Sequence, residues 1–176
     1  MTMWVFGYGS LVWNPGFTPV NTLLARLPNY ARSFCMRSIH HRGTPEDPGL
    51  VLALDEQEGL SCRGLALQVK DGEEDAVLTY LRERELISSA YLEKHLNVAL
   101  SDGRTVQALT YVVDPDHVQY CGDLSLEEQA TIIAKSKGGR GPNDEYLFQT
   151  FEHLEQLGVK DSDLEWLVQR VRALSS

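Results

Sequence analysis

The sequence predicts an α+β protein, mixed in its elements and folded as a single domain over residues 1–176. Three observations lead there. Apolar residues over 62–69 follow the period of two that suits a sheet and other apolar runs before residue 113 are bounded by turn signals, whereas residues 72–85 and the last third of the chain carry apolar stripes at helical spacing. Strands and helices do not alternate regularly, which disfavours a doubly wound Rossmann-type sheet. With 43% hydrophobic and 23% charged residues, a chain of 176 residues is long enough to bury a core of its own.

The first element is a strand of Met3, Trp4, Val5 and Phe6, and it ends where Gly7 and Gly9 bracket Tyr8. Glycine lets a ligand approach the main chain closely. Gly7-Tyr8-Gly9-Ser10 therefore reads either as a plain tight turn or as a small oxyanion pocket of backbone N–H groups. It is not a phosphate fingerprint, because the third glycine of G-x-G-x-x-G is missing and no Gly-Lys-Ser or Gly-Lys-Thr follows. Residues 22–27 lead to a turn at Pro28-Asn29, and residues 30–39 form an aromatic-rich strand. That strand carries Arg32 and Arg37, which fork onto a carboxylate if they face a cleft and are otherwise solvated. His40-His41-Arg42-Gly43 then opens a loop that runs to Gly49. Cys35 and His40 do not make a nucleophile and base, since their odd separation on a strand puts them on opposite faces. No third ligand at metal spacing accompanies the histidines. His41 and Arg42 are loop anchors and candidate substrate contacts.

Residues 50–54 and 62–69 read as two strands around an acidic turn at 55–59. In the second, Leu65, Leu67 and Val69 alternate with Gly64, Ala66 and Gln68, and the small pair either leaves room beside a pocket or packs tightly under a helix. Over residues 72–85, Ala76, Val77, Tyr80, Leu81 and Arg84 share a helical face, which places Glu85 at the C-terminal end. Arg82-Glu83-Arg84-Glu85 taken by itself is a solvated, salt-bridged turn. Residues 91–100 and 104–113 form a hairpin turned at Ser101-Asp102-Gly103. Ser125 and Glu128 spell a capping box for a helix over 125–136. Asn143 is placed as the N-cap of a helix whose Leu147, Phe148, Phe151, Leu154 and Leu157 share one side and which stops at Gly158. Tyr146, in its first turn, packs in the core or reaches a pocket. Asp161 or Ser162 caps the last helix, with Leu164, Leu167, Val168, Val171 and Leu174 facing inward.

A net charge of −9 and a pI near 5.0 argue against nucleic acid or an anionic membrane as a partner, since both call for basic patches. No apolar stretch approaches the roughly 18 residues that cross a bilayer, and the N-terminus lacks a basic-then-apolar leader, so a cytoplasmic protein is expected. Cys35, Cys62 and Cys121 are odd in number and widely spaced, suggesting neither a disulfide framework nor a zinc site. The sequence calls for no metal or other cofactor, and no obligate protein partner is evident.

Phe6-Gly7-Tyr8-Gly9-Ser10-Leu11-Val12-Trp13, followed by Pro15-Gly16-Phe17, resembles the opening of the ChaC family, the glutathione-specific γ-glutamylcyclotransferases. Four later stretches resemble the same family in the same order: His41-Arg42-Gly43-Thr44-Pro45, Gly64-Leu65-Ala66-Leu67, Arg82-Glu83-Arg84-Glu85 with Tyr91, and Asn143-Asp144-Glu145-Tyr146-Leu147-Phe148. Together they cover nearly the whole chain. The resemblance implies a small barrel-like mixed sheet surrounded by helices, the γ-glutamylcyclotransferase-like fold. It implies that Glu85, in an Arg-Glu pair closing its helix, is the general base. It also implies substrate binding by Val5, Phe6, Gly7, Tyr8, Gly9, Ser10 and Leu11, with Arg42, Tyr91 and Tyr146 as further contacts. Eukaryotic members have Gly-Gly-Tyr after the glutamate. Here Leu86-Ile87-Ser88-Ser89-Ala90-Tyr91 is closer to the longer linker of bacterial members, and Tyr91 aligns with the family tyrosine.

In the family's reaction the substrate's α-amine attacks its own γ-carbonyl, closing 5-oxoproline and expelling cysteinylglycine. The protein need not supply a nucleophile. It must make the amine neutral, hold the attack geometry and stabilise the oxyanion. An α-amino group with a pKa of about 8 is mostly protonated at neutral pH, and a carboxylate with one of about 4.3 is a poor base for it. Partial burial that raises the pKa of Glu85 is therefore expected. Two other readings remain open: the same chemistry on other γ-glutamyl-amino acids or γ-glutamylamines, and a non-enzymatic acidic binding module linked to cation-transport regulation.

Overall fold

A computed structural model describes residues 2–86 and 90–175. In chain order it contains β1 (Trp4–Gly7), α1 (Ser10–Trp13), β2 (Asn21–Ser38), β3 (Gly49–Gln68), α2 (Glu74–Glu85), β4 (Tyr91–Leu100) and β5 (Thr105–Val113). There follow α3 (Leu126–Lys135), the two-residue strands β6 (Lys137–Gly138) and β7 (Gly141–Pro142), α4 (Asn143–Gln156) and α5 (Ser162–Ser175). The class is α+β, as expected. The first five strands close a barrel in the order β1-β3-β2-β4-β5. Closure comes from β1, which lies antiparallel to β3, with Gly7 opposite Leu65, and parallel to β5, with Val5 opposite Leu109. Flanked on both sides, β1 is buried along its whole length, and the barrel presents no open edge.

The chain divides into two compact units, one of Met1–Arg32 and Leu54–His117, the other of Ser33–Ala53 and Val118–Ser176. In the first, Val5, Phe6, Leu65, Ala66, Leu81, Val98, Leu109 and Tyr111 are buried. In the second, α3, α4 and α5 pack on one another through Ala130, Ile133, Leu147, Leu154, Leu167 and Val171. No helix among the described residues is long and apolar enough to cross a membrane.

Several local expectations hold. The 91–113 hairpin forms with Gly103 at φ +93°, Ser125 and Glu128 make the reciprocal capping box, and Asp161 caps α5 by accepting the Leu164 N–H at 3.1 Å. Gly158 follows α4 at φ +78°. Three expectations are corrected. Pro28-Asn29 does not end a strand, and residues 55–59 do not separate two; β2 and β3 each run through, with Asn29 at φ +67° and Gly59 at φ +88°. The Asn29 side chain accepts the Gly59 N–H at 3.3 Å, so these left-handed residues meet as local irregularities of neighbouring strands rather than as reversals. Asn143 is the first residue of α4 and not its cap. Its amide instead pairs with the Leu50 backbone, accepting from N–H and donating to C=O, each at 2.8 Å.

Candidate active site

Glu85 is the last residue of α2, at the C-terminal end of the helix as expected. Its side chain is 17% exposed, and one carboxylate oxygen lies 3.5 Å from Nε of Arg84, itself only 8% exposed. Arg84 is thus not the solvated surface charge that its local sequence suggests. It donates to Ser10 Oγ at 2.8 Å, to the Tyr80 hydroxyl at 3.2 Å and to the carbonyl of Asn14. One guanidinium therefore ties the glutamate-bearing helix end to α1 at both of its ends. Tyr80 takes part in turn, since its ring occupies the space that a side chain at Gly16 would need.

The glycine-bracketed segment of residues 5–11 is built from strand to single helical turn. Val5, Phe6 and Gly7 belong to β1; Gly9 precedes α1; Ser10 and Leu11 begin it. The first N–H groups of any helix lack intrahelical acceptors, those of α1 included. Close packing fixes its shape. A Cβ on Gly64 would come within 2.2 Å of the Gly7 carbonyl oxygen, and one on Gly7 within 3.0 Å of Leu11 Cβ. Gly64 packs tightly, but against the neighbouring strand β1 rather than under a helix. The Tyr8 hydroxyl donates to the Tyr111 carbonyl at 3.3 Å, and the Tyr8 carbonyl accepts from Arg32 Nε at 2.7 Å. Arg32 also donates to the Arg63 carbonyl, so it braces the segment's backbone.

Beside Glu85 stands a cluster that sequence patterns alone did not single out. Arg82, one turn earlier in α2, forks onto Glu93 of β4, with Nε and Nη2 each 2.9 Å from a carboxylate oxygen. The same Glu93 accepts from the Tyr111 hydroxyl at 2.9 Å, Glu93 and Tyr111 being opposite each other in the β4–β5 pairing. The Arg82 hydrogen bond is the main reason that the Glu93 carboxyl sits below the usual glutamate value. Burial, the bond to Glu93, and the charges of Glu93 and Glu85 push the Tyr111 phenol well above its ordinary value, which keeps it a neutral donor. The signal lay in the hairpin: once its three-residue turn Ser101-Asp102-Gly103 is centred on Asp102, counting outward pairs residue 93 with residue 111. Tyr91 begins β4, opposite Val113 and two residues before Glu93, hence on the same face. The longer linker expected between Glu85 and Tyr91 falls partly on residues 87–89, which lie outside the described residues.

Arg42 and Tyr146 are brought together in the second unit. The Arg42 guanidinium lies 5.6 Å from the Tyr146 ring centroid and donates to the Pro142 carbonyl at 3.1 Å. Both residues are buried, and burial is the main cause that lowers the Arg42 pKa. The Tyr146 hydroxyl accepts the Leu52 N–H at 3.2 Å, and its ring meets Phe34 edge-on at 5.9 Å. Cys35, Cys62 and Cys121 are buried thiols. Among the described residues no cluster of His, Cys, Asp and Glu has the makings of a metal site.

Comparison with known proteins places this geometry in a family. The chain is 37% identical over 172 residues to the glutathione-specific γ-glutamylcyclotransferase of Escherichia coli, covering 98% of this chain and 74% of that protein. It is 37% identical over 182 residues to γ-glutamylcyclotransferase 2-3 of Arabidopsis thaliana, covering 100% of this chain and 92% of that one. Its fold matches the crystal structure of a γ-glutamylcyclotransferase specific to glutathione from yeast with a TM-score of 0.88, at 24% identity and full coverage of both chains (100% and 100%). Residues 3–174 match the ChaC-like protein family, and the chain belongs to it.

Proposed function

We propose that this chain is a γ-glutamylcyclotransferase that cleaves glutathione to 5-oxoproline and cysteinylglycine, with Glu85 as its general base. The activity named for the E. coli and Arabidopsis relatives supports the reaction, and the glutathione specificity named for the E. coli protein supports the substrate. The observation that carries the assignment of residues is the Arg84 guanidinium, which joins the Glu85-bearing end of α2 to Ser10. A base and a set of backbone donors act together only if they are held together, and here they are held in one unit.

In the reaction, the Glu85 carboxylate takes a proton from the substrate's α-ammonium group. The neutral amine attacks the γ-carbonyl carbon, the C–N bond of the lactam forms, and the carbonyl oxygen gains negative charge. Backbone N–H groups of residues 9–11 receive that charge, each donor of this kind being worth about 2.7 to 4 kcal/mol in a well-ordered site. Collapse of the intermediate breaks the bond to the cysteinylglycine nitrogen, Glu85 returns the proton to it, and the second proton that the attacking nitrogen sheds to become the lactam N–H passes by the same carboxylate to that nitrogen, which leaves as an ammonium group. The Ser10 hydroxyl accepts from Arg84 and has its own hydrogen to donate to substrate. Tyr91 is the further contact on the β4 side. Arg42 and Tyr146 enter the proposal as the framework of the second unit, because their polar groups are engaged there with Pro142 and Leu52. A cytoplasmic location and the absence of nucleic-acid or membrane partners belong to the same proposal, supported by three buried thiols and a net charge of −9.

The test is a mass-spectrometric assay of 5-oxoproline from glutathione and, separately, from γ-Glu-Ala. Product from glutathione in the wild type, and its loss in a folded Glu85→Gln variant, is the expected result. Preference for γ-Glu-Ala keeps the chemistry and changes the substrate. Near-normal turnover by Glu85→Gln removes Glu85 from the mechanism.

A further inference from the structure

We infer that Glu93 and Tyr111 are positioning residues for Glu85, forming with Arg82 a clasp that fixes the end of α2 against the β4–β5 hairpin. The inference rests on Glu85 being the base of the proposed reaction. Its geometric ground is that Arg82 and Glu93 bracket the stretch of chain bearing both Glu85 and Tyr91, and close it with two bonds of 2.9 Å. A two-pronged guanidinium–carboxylate contact fixes orientation as well as distance. Tyr111 extends the contact inward, since its hydroxyl holds Glu93 while its carbonyl accepts from the Tyr8 hydroxyl. One residue of β5 thereby relates the substrate-binding segment to the helix end that carries the base.

Exposure indicates what the clasp is for. The Arg82 side chain is 52% exposed and that of Glu93 20%, and an exposed ion pair adds little to stability. Its effect is on placement. The Leu86 N–H, bonded to the Arg82 carbonyl at 2.9 Å, closes the last turn of α2 and reports on that placement from within the helix. Glu93 lies outside α2, so replacing it leaves the helix's own sequence intact.

The variants are Glu93→Ala, Glu93→Gln and Tyr111→Phe in the full chain, read by glutathione kinetics and by amide hydrogen exchange. Misplacing a reacting group by about 1 Å can cost about 100-fold, and a partial release of the helix end should cost about tenfold in kcat. The expected result is that loss of kcat in Glu93→Ala and Tyr111→Phe, with KM changed less than about twofold and partial recovery in Glu93→Gln, which retains an acceptor. Leu86 exchange should speed about tenfold in Glu93→Ala, while Val77, bonded to the Glu73 carbonyl in the first turn, keeps its rate. Unchanged Leu86 exchange overturns the clasp whether or not the enzyme acts on glutathione. Faster exchange with unchanged kcat overturns its role in positioning the base. A wild type that releases no 5-oxoproline defeats the proposed reaction instead, and the exchange rates then decide the clasp alone.

Discussion

Replacing Gly64 with alanine tests how the proposed substrate-binding segment, residues 5–11, is held. The added Cβ would lie 2.2 Å from the Gly7 carbonyl oxygen, where ordinary contact begins near 3.4 Å. The obstacle is backbone rather than the end of a flexible side chain, so something must yield by about 1 Å, and overpacking of this kind costs roughly 1–3 kcal/mol. In a chain of this size each kcal/mol lowers Tm by about 2–4 °C, so a fall of roughly 2–12 °C is expected. The displacement is passed directly to Gly7, two residues before Gly9 and in contact distance of Leu11, so the backbone of residues 8–11 moves with it. A shift of about 1 Å in a reacting geometry can cost about 100-fold, and kcat/KM for glutathione should fall by tenfold to about that limit in protein that remains folded. Thermal denaturation followed by circular dichroism, together with 5-oxoproline release, measures both. A variant with unchanged Tm and unchanged kcat/KM refutes the claim that the close approach of β3 to Gly7 shapes the site.

Three further outcomes follow from the same contacts. Arg84→Ala removes the link from α2 to Ser10, Asn14 and Tyr80, and should lower kcat/KM by about tenfold or more, with Arg84→Lys restoring only part because a single ammonium cannot fork. Asn143→Ala leaves a buried donor and acceptor of Leu50 unpaired and should destabilise the protein by about 2–4 kcal/mol in urea titration. The folded pKa of Glu93 lies below its reference value of 4.5, so the stability it contributes is present above about pH 4.5 and is lost as pH falls through the lower folded value. Glu93→Gln should therefore flatten the acid limb of a Tm-against-pH curve below about pH 4.5, and an unaltered limb shows that this carboxylate is not linked to folding.

Elements whose signals are local were legible in the sequence. The capping box at Ser125 and Glu128, the Asp102-Gly103 turn and the left-handed Gly158 each depend on a few neighbouring residues, and each forms as read. Asn143 and Pro28-Asn29 misled because a partner distant in sequence outweighed the local preference. The Asn143 amide finds a complete backbone donor–acceptor pair at Leu50, and neighbouring strands carry the chain through Asn29 and Gly59. The same reason explains the site. Glu85 was placed by helical periodicity and by family resemblance, but its helix-mates Arg82 and Arg84 looked like surface charge. Their acceptors lie 11 residues later at Glu93 and 74 earlier at Ser10, separations that no periodicity encodes.

The division of the chain bears on how such a protein is inherited and engineered. Each compact unit is assembled from two separate stretches, and the chain passes from one unit to the other three times, after Arg32, after Ala53 and after His117. Two of those passages fall inside β2 and β3. Neither unit is therefore a transferable cassette: no single excision releases it whole, and no fusion at a terminus adds it. Recombination at either inner passage severs a strand as well as a unit, which favours inheritance of the whole sequence as one block. An engineer who wants the Glu85-bearing unit alone must bridge Arg32 to Leu54 and rebuild the interrupted strands, rather than trim from an end.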